Sequence, residues 1–82
     1  MISYTEILIE TPYDSVFSYR TITVRINELV RKQPESIGTV GDRYIVTYKD
    51  LNYYDLTRIG SYLSSIRTVV PNINYKIETK RE

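Results

Sequence analysis

The chain has 82 residues with no cysteine and no histidine, and its eleven Lys and Arg against ten Asp and Glu leave a net charge of +1. Without Cys there are no disulfides, thiolate nucleophiles or zinc–cysteine sites, and without His the usual neutral-pH acid–base group and metal ligand is gone. The balanced charge also excludes a protein that holds nucleic acid by bulk electrostatics, so any RNA contact must come from a local patch.

The length allows one small domain over 1–82, near the size at which a core must be efficient to fold without staples. No apolar run reaches a membrane span, and MISYTEILIE carries an acidic residue where a signal peptide is basic and then apolar. A soluble cytoplasmic protein without membrane contact is therefore expected. Nine Tyr against one Phe and no Trp is an unusual aromatic mix, suited both to a modest core and to a protein interface.

Residues 2–10, ISYTEILIE, alternate as a strand does, with Thr5, Ile7 and Ile9 on one face and Tyr4, Glu6 and Leu8 on the other. Thr11 is a helix N-cap, Pro12 sits where a missing N–H costs nothing, and Asp14 puts negative charge in the first turn. The helix that follows is ambiguous at 21–26, TITVRI, whose β-branched alternation favours a strand in isolation. The spacing of Val16, Tyr19, Ile22, Ile26, Leu29 and Val30 nevertheless predicts a helix running to Arg31 and Lys32, with Pro34 ending it.

Next come SIGTV at 36–40, a Gly41-Asp42 turn and RYIVTYK at 43–49, which together read as a hairpin. Tyr44, Val46 and Tyr48 share one face; Ile45 and Thr47 share the other. Either Asp50 or Asn52 caps a second helix, with Asp55 in its first turn and Pro71 closing it. The tail at 72–82 alternates Ile73, Tyr75 and Ile77, as a last strand or an extended segment with a frayed end. The expected fold is α+β: a β-α-β-β-α core, with or without an extra C-terminal strand, whose two helices pack on one face of an antiparallel sheet.

The second helix is lopsided. At about 100° per residue, Leu56, Ile59, Leu63, Ile66 and Val70 form one apolar stripe that belongs on the core. The far side collects Thr57, Gly60, Ser61, Ser64 and Thr68, with Arg58 and Arg67 on opposite flanks. A solvated helix back normally carries long charged residues, which have better helix propensity. Small side chains instead let another helix come close. Gly60 costs roughly 1 kcal/mol against Ala in a helix interior, so some gain should offset it. The plainer alternative is an exposed Ser/Thr face with one tolerated Gly.

The run DLTRIGSYLSSIRTVV at 55–70, after the strand RYIVTYK and a helix opened by PYDSVFSY at 12–19, resembles the small dimerisation subunit of the KEOPS complex. That family is related to the CTAG/LAGE-type cancer-testis antigens. The likeness covers nearly the whole chain, from the Pro-initiated first helix and the Gly-basic hairpin turn to Ser61-Tyr62-Leu63 in the second helix. It implies a non-catalytic, cofactor-free scaffold of the archaeal-type machinery that makes threonylcarbamoyladenosine in tRNA. Such a subunit pairs through its sheet with an identical copy or a related small subunit, docks its helices on the ATP-binding catalytic subunit and helps hold tRNA. The docking residues would be Thr57, Gly60, Ser61, Ser64 and Thr68, and the candidate tRNA contacts Arg20, Arg25, Arg58 and Arg67. The family's Arg and Asn before the Tyr/Phe-Leu pair fall here on Leu56 and Gly60, which points to a diverged paralogue.

Two rival readings use the same residues. A small RNA-binding domain of RRM or KH-like topology would offer Tyr44 and Tyr48 for base stacking, although Val46 between them favours a helix-covered face. An enzyme would need paired carboxylates, and Asp50 with Asp55 reads as helix capping while Glu6 with Glu10 reads as strand-edge solvation. Arg20, Arg25, Arg31 and Lys32 on the first helix are either a solvated face or a phosphate-contacting strip.

Overall fold

In the computed structural model, residues 2–10, 19–40, 43–69 and 72–81 are described. The expected cap at Thr11, Pro12 and Asp14, the contribution of Val16, the Gly41-Asp42 turn, Val70 and Pro71 lie outside them.

The described elements are β1 (Ser3–Glu10), α1 (Tyr19–Val30), β2 (Ser36–Val40), β3 (Arg43–Lys49), α2 (Tyr53–Val69) and β4 (Asn74–Arg81). The four strands form one antiparallel sheet in the order β2-β3-β1-β4. That is the split βαβ arrangement of ferredoxin-like domains. The α+β expectation holds, and the tail is a strand. Its end does not fray as expected: pairing with β1 continues to Arg81 opposite Ser3. The charges at 78–81 do not stop it, because a strand pairs through its backbone and an edge strand leaves those side chains in water.

Alternation in β1 decides which face is covered. Thr5, Ile7 and Ile9 are fully buried, and their partners across the sheet are Tyr48, Val46 and Tyr44 on β3 and Thr79, Ile77 and Tyr75 on β4. The ambiguous 21–26 stretch is helical, because Ile22, Ile26 and Val30 repeat every four residues and all enter this core. Two polar ties seat α1 over β3: Tyr48 donates to the Asn27 side chain, and Thr23 pairs with the Tyr44 hydroxyl. Burial, with a smaller contribution from Tyr44, pushes the Tyr48 phenol well above its ordinary value. Both tyrosines are therefore core residues, and neither offers a ring for base stacking.

The two helices end and begin close together through specific backbone chemistry. Helix α1 stops at Val30, ahead of Pro34, in a Schellman turn: the Lys32 amide donates to the Asn27 carbonyl at 3.3 Å, and Arg31 takes a left-handed φ of 55°. Asn52, not Asp50, caps α2. Its Oδ1 accepts from the Asp55 amide at 2.8 Å, and its own amide donates back to the Asp55 carboxylate at 3.2 Å. Asp50 sits at φ 55° and ties off the end of β1, its Oδ1 accepting from the Ser3 amide. Replacing Asn52 by Ala should cost about 1 kcal/mol in a denaturant titration, the usual worth of such a cap; Asp50→Ala should leave α2 intact by circular dichroism.

Candidate functional site

The candidate site is the outer side of α2. Ile59 and Leu63 are fully buried and Ile66 nearly so, with Leu56 partly covered, so the apolar stripe is pinned to the core. With that face fixed, Thr57, Ser61, Ser64, Ser65 and Thr68 are exposed and Gly60 is half-buried, as the spacing predicts.

Three of these hydroxyls turn back onto their own helix. Thr57 Oγ1 donates to the Tyr53 carbonyl at 2.9 Å, Ser65 Oγ to the Ser61 carbonyl at 2.9 Å, and Thr68 Oγ1 to the Ser64 carbonyl at 3.2 Å. Their donors are satisfied before anything arrives, so covering this face strands few polar groups. Ser64 differs, because its hydroxyl shares a hydrogen bond of 2.8 Å with the Tyr75 hydroxyl of β4. It marks the border where α2 meets the sheet, so it is less free for a partner than its spacing suggested.

Gly60 has no structural requirement within this chain. A Cβ built there would meet nothing within 4 Å. Its φ is also outside the left-handed range, so the backbone there suits an L residue as well as glycine.

The helix starts at Tyr53, directly after the Asn52 cap, and its first turn adds two residues that the small-residue pattern of the outer face does not include. Tyr53 and Tyr54 are 76% and 70% exposed, with their rings in an edge-on pair at 6.0 Å between centroids. Continuing the step of about 100° per residue back one turn puts Tyr53 on the face of Thr57 and Ser64. The outer face thus carries aromatic bulk at its N-terminal end and small residues beyond it.

The four arginines proposed for tRNA do not form one strip. Arg58 and Arg67 leave α2 on opposite flanks; Arg58 lies 3.5 Å from the Asp55 carboxylate, and Arg25 pairs with Glu28 at 3.1 Å. Arg20 and Arg67 are exposed without an ion pair among the described residues. The carboxylate pairs weighed for catalysis are also apart in role. Asp55 belongs to the cap, Glu6 pairs with Lys80 at 3.4 Å and Glu10 with Arg43 at 3.2 Å. Among the described residues no group of three or more acidic side chains could hold a metal ion, and no helix is long and apolar enough to cross a membrane.

The uncovered face of the sheet is a shallow mix of apolar and paired charged residues. Leu8 and Ile45 are cross-strand neighbours there, beside the Lys76–Glu78 pair at 2.7 Å. That contact holds the Glu78 carboxyl below and the Lys76 ammonium above their ordinary values.

No family model and no curated protein matches the chain. Among solved structures it is similar to "De novo designed protein Foldit4", at 15% identity over 100% of this chain and 99% of that one, with a TM-score of 0.60. At that identity the likeness shows the fold and nothing more.

Proposed function

We propose that the chain is a non-catalytic dimerisation and scaffolding subunit of the KEOPS-type tRNA threonylcarbamoyladenosine machinery. Helix α2 lies with its outer face on helices of the ATP-binding catalytic subunit. One observation carries the docking: Gly60 weakens α2 by about 1 kcal/mol relative to Ala, yet its missing Cβ serves no contact and no unusual backbone angle within the chain. Its smallness is explained by an approaching helix. The inward-turned hydroxyls lower the desolvation cost of that approach, and Tyr53 and Tyr54 supply the exposed aromatic bulk that anchors interfaces. Gly60→Ala should accordingly raise the stability of the isolated chain by about 1 kcal/mol in urea titration. A loss of stability would show that Gly60 serves this chain's own fold.

Pairing with a second small subunit, identical or related, belongs to β2. Strand β4 already occupies one side of β1 and presents Lys76, Lys80 and Arg81 on its own open edge, where charge discourages further pairing. Strand β2, SIGTV, has no charge, and Ile37 is 52% exposed. The wild-type chain should self-associate at high concentration in sedimentation, and Ile37→Lys should shift it towards monomer. A wild-type chain that stays monomeric throughout would remove homodimeric pairing.

Purification of the tagged chain from its source cell followed by mass spectrometry tests the whole reading. Recovery of the ATP-binding catalytic subunit with a second small subunit is expected; recovery of neither would remove it.

A further inference from the structure

The ends of the two helices enclose a cleft of about 580 Å³ whose polar lining is Glu28, Arg31, Lys32, Asn52, Asp55 and Arg58. The two carboxylates are already committed. Glu28 is paired with Arg25, and Asp55 faces Arg58 while also accepting from the Asn52 amide. Lys32 is held in place by the carbonyls of Asp50 at 2.7 Å and Lys49 at 3.2 Å, which leaves one of its three donor hydrogens to point elsewhere. Arg31 makes no hydrogen bond or ion pair among the described residues. The lining therefore keeps two positive charges, those of Arg31 and Lys32, without a counter-charge.

The position of Arg31 is a second, separate observation. It occupies the left-handed residue of the Schellman turn, φ 55°, where Gly is the ordinary choice and a β-carbon costs about 1 kcal/mol. A long cation therefore stands at a strained point beside a cleft, with its planar fork of donors unused. That fork matches the oxygens of a phosphate, which it can take two at a time. The lining contains no aromatic residue, so nothing in it would stack a base and the recognition is of the phosphate alone.

We infer that this cleft binds a phosphate group, Arg31 holding it bidentately with Lys32 as the flanking charge, while Arg58, shared with Asp55, adds a further donor. The group is supplied either as free phosphate or by an RNA backbone, and the experiment separates these sources. Amide shifts of the isotope-labelled full chain would be followed by NMR at low salt, in one arm with inorganic phosphate and in the other with a single-stranded oligouridylate. Saturable shifts at residues 31, 32, 52 and 58 are expected. With phosphate they indicate a small-molecule site; with RNA only, a backbone contact.

The decisive variant is Arg31→Gly, because Gly suits the left-handed position and keeps or raises stability, so lost binding cannot be ascribed to unfolding. Together with Arg58→Gln it should weaken binding about tenfold or more. In the RNA arm it should also flatten the slope of log K against log salt by about 0.7 for each cation removed. Lys80→Gln, on the far face of the sheet, is the control and should change nothing. Shifts absent in both arms, or equal affinity in the double variant, would overturn the assignment. The site stands apart from the α2 docking face: Gly60→Leu should leave these shifts unchanged, so either proposal can fail without the other.

Discussion

Leu63→Ala should come close to unfolding the isolated chain at physiological temperature. Leu63 is fully buried at the middle of the α2 stripe, between Ile59 and Ile66, with the sheet beneath it. Truncating such a leucine costs about 2–5 kcal/mol, because transfer energy is lost and the void is only partly refilled. A domain of this length has roughly 4–12 kcal/mol in total. At about 4–8 °C per kcal/mol for small domains, a 3 kcal/mol loss lowers Tm by about 12–24 °C. Thermal melts followed by circular dichroism would show it, with Ser61→Ala as the surface control expected to stay within a few degrees. A Leu63→Ala melt that matches wild type would mean that α2 presents a different side to the sheet.

The second large effect belongs to the opposite side of the same helix and should appear in binding alone. Tyr53→Ala/Tyr54→Ala removes two exposed rings, and Gly60→Leu adds bulk where a Cβ would meet open space. Neither change touches the core, so the melts should stay near wild type, with Gly60→Leu if anything higher through better helix propensity. At the proposed catalytic-subunit partner the aromatic double variant should lose about 2–4 kcal/mol of affinity, roughly a 30- to 1,000-fold change. This separation is the signature of a docking face: stability follows one side of α2 and association the other.

Much of the architecture was legible because its periods are clean. Two-residue alternation fixes the inward face of β1 and β3, and the three- and four-residue spacing of Ile59, Leu63 and Ile66 fixes that of α2. The 21–26 stretch shows how such patterns compete: its local preference is for strand, and the core positions Ile22, Ile26 and Val30 override it. Other features depend on contacts that no period encodes. Asp50 and Asn52 are equally good caps on paper; Asn52 takes the role because Asp50 is held left-handed against Ser3. The Schellman turn at Arg31 gives no glycine to announce it, and the charges near the end of the last strand suggest fraying although its backbone ladder with β1 runs to Arg81.

The candidate face was read in outline. Thr57, Gly60, Ser61 and Thr68 lie where their spacing puts them, while Ser64 is half-claimed by Tyr75, a contact between residues eleven apart that spacing alone could not reveal. Tyr53 and Tyr54 occupy the first turn that an Asn52 cap implies, but the outer face is read from its small residues, a pattern that two tyrosines do not share.

The most direct test is a calorimetric titration of this chain into the ATP-binding catalytic subunit of the KEOPS-type complex proposed above, with wild type and Gly60→Leu side by side. The account predicts saturable binding by wild type, at least about tenfold weaker binding by the variant, and equal or higher thermal stability for the variant. Absence of wild-type binding, or identical affinities for the two chains, would contradict it.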